Sequence, residues 1–300
     1  MKLIVTGGAG FIGSHLVKYL VKEGHDISVI DNLTRGKMEY LKEVEKEIDF
    51  FKLDITNFED IRNVLKQTDG VFHEAAFTSV PESFTKVEEY RRVNIDGTEN
   101  IFKLAKKYGF KVVYASSSSI YGNTTIIPIS EDFERKPINP YGITKLEDEY
   151  LTEKFSKLGT QIIGLRYFNV YGKGQTPSYA GVITKFLENI KNEKPPIIFG
   201  DGSQVRDFIF IDDVCRANLS AMKSDVKTGF FNIGTGIATS IKNLADLIIR
   251  LSGKSLKPVY DKLPDGDVKL SQADISLAKK FFSWEPKTTL EEGLSKFFNN

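Results

Sequence analysis

Leu3-Ile4-Val5-Thr6-Gly7-Gly8-Ala9-Gly10-Phe11-Ile12-Gly13 decides the fold. Leu3 to Thr6 has the pattern of a short buried strand, and glycines follow at once. Ser14 to Lys22 then carries Leu16, Val17, Tyr19 and Leu20 on one helical face before Gly24. Strand, glycine turn and helix in that order make a seat for a pyrophosphate. Missing side chains at Gly8 and Gly10 allow a tight turn and close approach of backbone, and Gly13 lets the helix pack on the sheet. Free N–H groups and the positive helix end then face the anion. Gly7, Gly10, Phe11, Ile12 and Gly13 are accordingly the first candidate cofactor contacts. The glycines alone are a weak signal; the flanking strand and helix make it specific.

Working outward, Asp26 to Ile30 reads as a second strand, and Asp31 ends it, 23 residues after Gly8. A carboxylate there accepts the adenine-ribose hydroxyl protons and repels a 2′-phosphate, which predicts NAD over NADP. Asn32, Leu33, Arg35 and Gly36 complete that loop. Arg35 and Lys37 are the counter-signal, since either could bend toward a phosphate. Asp54 and Ile55 follow another strand and are placed to hold the adenine amine and ring face, with an ordinary strand end as the plainer alternative. Ala75 and Ala76 leave room on the nicotinamide side, while the preceding His73 reads as structural. Asn94 either bonds across the strand ends to steady the cofactor loop or caps a helix.

The same alternation continues through strands at Phe50–Leu53, Gly70–His73, Lys111–Ala115 and Thr160–Leu165. Helices are expected near Phe58–Leu65, Val93–Tyr108 and Gly142–Leu158. This is an α/β pattern: a Rossmann-type, mostly parallel sheet flanked by helices. Glycines and prolines cluster after Arg166, and a smaller C-terminal substrate-binding lobe is expected from Tyr171. Phe210–Met222 and Gly229–Ile233 again look like a helix and a buried strand. Residues 1–170 plus about 208–235 are thus assigned to the NAD-binding domain, and 171–207 plus 236–300 to the smaller one.

Of the 300 residues, 41% are apolar and 27% charged, and 41 Lys plus Arg against 40 Asp plus Glu leave a net charge of +1. That balance gives no argument for a nucleic-acid or membrane partner. No stretch approaches the roughly 18 apolar residues of a membrane span. The N-terminus reads as a first strand rather than a signal peptide, so a cytoplasmic protein is expected. Cys215 is the only cysteine, and His15, His25 and His73 are scattered, so no metal site is expected.

Ser116 to Ser119 ends a strand, and farther on Tyr141 and Lys145 lie four residues apart on one helix face. A free phenol has a pKa near 10, but a neighbouring ammonium and the positive nicotinamide ring favour its phenolate. Tyr141 can then take a hydroxyl proton while hydride leaves the adjacent carbon, with a serine hydroxyl orienting the same oxygen. The Tyr-x-x-x-Lys spacing alone is common; behind the glycine loop and Asp31 it becomes strong.

With these motifs the chain resembles the NAD-dependent epimerase/dehydratase family, the extended branch of the short-chain dehydrogenase/reductases. The resemblance runs through TGGAGFIG (6–13), DNLTRG (31–36), HEAA (73–76), NIDGT (94–98), YASSSSIYG (114–122), NPYGITK (139–145), RYFNVYG (166–172), FGDGSQVRDFIFIDDV (199–214), GDV (266–268) and WEP (284–286). It implies Ser117 as the catalytic serine, four residues before Tyr121, so Ser117, Tyr141 and Lys145 form the trio, with Tyr141 and Lys145 also touching the cofactor and Ser117 and Tyr141 the substrate. It also implies a UDP-sugar substrate oxidised and re-reduced at C4, with NAD staying bound, and a homodimer packed through helices near 97–108 and 142–158. Dehydratases and UDP-glucuronate decarboxylases of this kind carry an acidic residue where Ser119 stands, and dehydratases an aspartate at Ser118 as well, which favours simple epimerisation. Asn169 resembles the diphosphate ligand, Arg206 the phosphate-side arginine with Phe199 beside it, and Val182 and Lys185 the uracil cover. A surface ion pair is the alternative for Arg206. Ser79 begins a Ser-Val-Pro-Glu-Ser loop resembling that of N-acetylhexosamine enzymes. A second phosphate arginine, expected three residues before Asp267, is replaced by Pro264, and seven residues beyond Pro264 the small Ser271 is expected to border the sugar. Neutral UDP-hexoses and their N-acetylated forms are the preferred substrates. UDP-glucuronate is the alternative; a 4-ketoreductase or a noncatalytic dinucleotide sensor fits the residues less well.

Overall fold

The computed structural model describes residues 1–175, 181–262 and 268–298. Among the described residues, seven strands form one parallel sheet: β1 (Lys2–Thr6), β2 (Asp26–Ile30), β3 (Ile48–Phe51), β4 (Gly70–His73), β5 (Lys111–Ser117), β6 (Ile162–Tyr167) and β7 (Thr228–Ile233). Their order is β7-β6-β5-β4-β1-β2-β3. The order reverses between β1 and β4, so the crevice beyond Thr6 and His73 is the topological switch point where such sheets bind ligands.

Helices cover both faces because the strands are buried on both. On one face α1 (Phe11–Lys22) and α6 (Ile211–Lys223) pack on Leu3, Val5 and Phe72. In α1, Leu16, Val17 and Leu20 are wholly buried, each contributing about 1.5–3 kcal/mol by leaving water. On the other face lie α2 (Phe58–Leu65), α3 (Gly97–Tyr108) and α4 (Pro140–Ser156), with Ile61, Ile101, Phe102 and Phe155 against Ile4, Val71 and Val112.

Beyond β6 the chain builds a roof over the carboxyl ends of the strands. The short strands Asn169–Tyr171 and Phe208–Phe210 pair in parallel. α5 (Val182–Lys191), α7 (Ile241–Ser252) and the strand pair Ile197–Phe199 with Val259–Asp261 follow. α8 (Ser276–Phe282) and α9 (Leu290–Ser295) complete it. The buried Asp207 carboxylate accepts from Thr235 N (2.7 Å), Gly236 N (2.9 Å) and Ala273 N (3.1 Å), tying three passages of chain together. Asp213 does the same for the C-terminal stretch, accepting from Lys287 N and Thr288 N, and its carbonyl accepts from the Trp284 indole.

Several boundaries differ from the sequence expectation for local reasons. α4 begins two residues early because Asn139 caps it, accepting from Gly142 N at 2.8 Å, and Pro140 starts the first turn. β5 runs on through Ser117. The helix expected from Val93 is interrupted: Arg91–Asp96 is a π turn ahead of α3. A 3-10 stretch at Met38–Glu47 was not expected, since it buries only Leu41 and Val44.

Candidate active site

The glycine turn after β1 is required sterically. Gly7 has φ +69°, and a Cβ there would lie 2.6 Å from Ala75 N; a Cβ on Gly13 would lie 2.2 Å from Gly7 O. The loops after β1 and β4 thus touch, and between them runs a narrow groove of about 100 Å³ lined by Gly7, Gly10, Asp31, Asp54, Ile55, Ala75 and Ala76 among others. The Asp31 carboxylate is held at its wall by Ala9 N (3.0 Å) and Leu33 N (2.8 Å). Burial pushes its pKa up, against those two bonds. Gly36 makes the placement possible, since a Cβ there would come within 2.8 Å of both oxygens. Asn32 donates to Asp54 at 3.1 Å, and Asp54 also accepts from Thr56 N and its hydroxyl.

Asn94 is fully buried in the π turn. It accepts from Phe77 N at 2.7 Å and donates to Phe77 O and to Thr144 Oγ1, which ties the loop after β4 to α4. The π geometry supplies this reach. Arg35 also lines the groove, but its guanidinium lies 3.9 Å over the Phe77 ring and pairs with Glu82. Phe11, Ile12 and Leu33 are not among the residues lining the groove: all three pack against the core, Phe11 edge-on to His15 as well. Apolar side chains so close to the sheet are drawn to the core. A glycine cradle that a Cβ would fill and a carboxylate at the ribose end fit NAD.

Ser117 closes β5, nearly buried, with Oγ accepting from Ser119 N at 3.1 Å. Ser116 points elsewhere and donates to Glu149 at 2.8 Å. Tyr141 lies half-buried in the first turn of α4, and the buried Lys145 follows one turn on. α4 rests on β5 and on the Ser118–Tyr121 turn; a Cβ on Gly142 would meet Ser119 O at 2.8 Å. The helix start that carries Tyr141 is therefore seated on the strand end that carries Ser117.

Two carboxylic acids that the motifs did not flag face Lys145. Asp148 is wholly buried, 3.2 Å from the ammonium. Burial pushes its carboxyl up to about 7 despite that neighbour. Glu74 accepts from the Tyr167 hydroxyl at 2.9 Å, and burial likewise raises it to about 7. Asp148 was traceable by its i+3 spacing from Lys145; the burial of Glu74 was not. His73 bridges Thr6 (2.6 Å) and Thr98 (2.9 Å), and burial, then the charge of Lys145, lowers its pKa to about 3, so it is neutral. No group of three His, Cys, Asp or Glu side chains among the described residues is arranged to hold a metal, and no described helix is long and apolar enough to cross a membrane.

Next to this site lies a cleft of about 860 Å³ under the roof. Asn169, Val182, Lys185, Phe199 and Arg206 line it, together with Val80 and Pro81 of the Ser-Val-Pro-Glu-Ser loop and with Gln175 and Gln204, which sequence reasoning missed. Asn169 donates to Asp207 O at 3.0 Å, and Arg206 to Val205 O at 2.9 Å. The hydroxyl of Ser79 instead caps the Val80–Ser83 turn, accepting from Glu82 N. Ser271 is buried between Leu270, which bridges to Thr124, and Gln272; it is not among the described residues that line the cleft. The expected contact at Asp267, and the replaced arginine at Pro264, lie outside the described residues.

Sheet order, the dinucleotide groove and Ser117, Tyr141 and Lys145 on the adjoining β5 and α4 define a protein of the short-chain dehydrogenase/reductase class. The chain belongs to the NAD dependent epimerase/dehydratase family, whose sequence profile matches residues 3–234. A UDP-glucose 4-epimerase from Thermotoga maritima, solved with UDP-glucose, is 39% identical with TM-score 0.94, covering 99% of this chain and 98% of that one. The UDP-N-acetylglucosamine 4-epimerase of Methanobrevibacter ruminantium M1, solved with UDP-N-acetylmuramic acid, is 36% identical with TM-score 0.93, covering 99% and 97%. A UDP-glucuronate 4-epimerase of Thermodesulfobacterium geofontis is 38% identical over 309 residues, 99% of this chain and 94% of that protein. NAD is the cofactor of this family.

Proposed function

We propose that the protein is a UDP-sugar 4-epimerase. The observation that carries this reading is the seating of the Tyr141 turn of α4 on the Ser117 end of β5, beside both groove and cleft. Bound NAD supplies reversible two-electron oxidation at the sugar C4. Ser117 orients the C4 hydroxyl and Tyr141 takes its proton, with Lys145 one turn on along the same helix. Once the 4-keto sugar has turned over in the cleft, the hydride would return to the opposite face of C4 while Tyr141 gives the proton back to the C4 oxygen. Lys185 and Arg206 face the cleft with the charge a diphosphate requires. Ser118 and Ser119 provide no acid for eliminating water.

Neutral hexoses are the preferred substrates, both UDP-glucose/UDP-galactose and the N-acetylated pair. Asn169 at the cleft wall and the Val80-Pro81 segment of the Ser-Val-Pro-Glu-Ser loop support this. The serine-rich end of β5 favours a second reading, UDP-glucuronate, as does the glucuronate-acting relative. Incubation with UDP-glucose, UDP-N-acetylglucosamine and UDP-glucuronate, without added NAD, tests both. A C4 epimer of either neutral sugar supports the first reading, a product from UDP-glucuronate alone replaces it with the second, and no product from any of the three overturns the assignment.

A further inference from the structure

We propose that Glu82 is a cofactor-specificity residue: its pairing with Arg35 withholds from the adenine-ribose end of the groove a cation that would otherwise receive a 2′-phosphate. The inference rests on the reading of the groove as a dinucleotide site.

Asp31 is the residue that sequence reasoning holds responsible for preferring NAD, but Arg35, four residues on, argues the other way. An arginine near the ribose is what accommodates a 2′-phosphate in folds of this type, and its planar fork matches two phosphate oxygens. Arg35 lines the groove together with Asp31. What decides between them is where the guanidinium is held. It lies flat over the Phe77 ring at 3.9 Å, and its Nη2 donates to Glu82 Oε2. Both side chains are about 20% exposed, so the pair sits at the groove mouth rather than in open water.

Glu82 is itself held firmly. Its other oxygen lies 2.9 Å from the Lys86 ammonium, and the Tyr90 hydroxyl, which also donates to Ser79 O at 2.8 Å, reaches Oε2 at 3.2 Å. Its backbone N–H is tied to Ser79 Oγ. Burial opposes the carboxylate, but the bonds from Lys86 and Arg35 outweigh it and keep the group below the usual range, so it stays charged at neutral pH. A 2′-phosphate would have to draw Arg35 off both an aromatic face and a fixed carboxylate while enduring the repulsion of Asp31 and Glu82.

The test exchanges the dinucleotide that the purified protein carries against an equimolar excess of NADH and NADPH until no NAD is left on it, removes free nucleotide, and measures the ratio released on denaturation. Wild type should retain NADH strongly over NADPH. Glu82→Ala and the shape-preserving Glu82→Gln should each narrow the ratio by about tenfold or more, the scale of one freed charge-assisted bond. Arg35→Ala/Glu82→Ala should restore it, and Arg35→Ala alone should leave it unchanged. A ratio unmoved in both Glu82 variants overturns the proposal while leaving the NAD reading intact. So does a narrowed ratio that survives loss of Arg35, or reduced NADPH retention in Arg35→Ala alone. Retention of neither nucleotide by wild type overturns the proposal and the cofactor reading together.

Discussion

Replacing Tyr141 by Phe keeps the ring and removes one oxygen, so it isolates the proton transfer from the packing. Turnover should fall by roughly 10²–10⁴ with bound dinucleotide retained, measured as epimer formed per released NAD; near-normal turnover would remove Tyr141 from the chemistry. Glu74 makes a different prediction, in pH. Burial raises its carboxyl from 4.5 to about 7, so the folded chain holds that proton more tightly than the unfolded one. The stability this contributes is complete below about 4.5 and is lost as pH rises through about 7. Glu74→Gln fixes the neutral shape. It should melt with wild type at pH 4 and above it at pH 8, by roughly 3 kcal/mol at full effect. Ser117, Tyr141 and Lys145 were legible because their spacing is local and their neighbours form motifs. Asp148 was traceable only as a neighbour of Lys145 by its i+3 spacing, and Glu74 was not, because what makes it unusual is the water it loses on folding.

At the scale of elements, α4 is held to β5 and β6 by a buried polar knot. Arg166 Nε and Nη2 donate to the two Glu149 oxygens, both at 2.8 Å, and Nη1 to the Tyr121 hydroxyl and Glu131 O. Arg166→Met should cost about 3–5 kcal/mol, because it leaves the Glu149 charge buried without its main partner. Arg166→Met with Glu149→Leu should recover part of that loss. Denaturant unfolding of the two variants decides it, and equal stabilities would show that the stranded carboxylate is not the source of the cost. The element pattern of the sheet half was readable from alternating apolar runs and glycines. The π turn at Arg91–Asp96 was not, since its one-residue slip is set by Asn94 reaching Phe77 and Thr144. Nor was Met38–Glu47, a largely charged stretch that buries only Leu41 and Val44.

For the whole molecule, the parallel architecture followed from the sequence, whereas the apolar residues of α3 had two possible uses. Ile101, Leu104 and Ala105 cover the sheet. The apolar side chains left outward on the neighbouring α4 are Ile143 and Tyr150, 49% and 45% exposed and two turns apart. We propose that this face of α4 pairs with a second copy of the chain. Ile143→Lys with Tyr150→Lys should then sediment as a monomer while wild type sediments as a dimer; identical profiles would rule this face out as the contact.

Asp207 ends in mechanics. The chain passes between sheet and roof near Asn169, again near Asp207 and again near Thr235. Asn169 N and Asn169 Nδ2 both donate to the Asp207 carbonyl, while its carboxylate takes Thr235, Gly236 and Ala273. Several ropes knotted at one rivet do not swing as a door does on a single hinge; they permit rocking and little else. The cleft under the roof is therefore built at folding rather than by closure around a guest. X-ray scattering in solution should give the same radius of gyration with and without saturating UDP, and a marked contraction would show that the rivet yields.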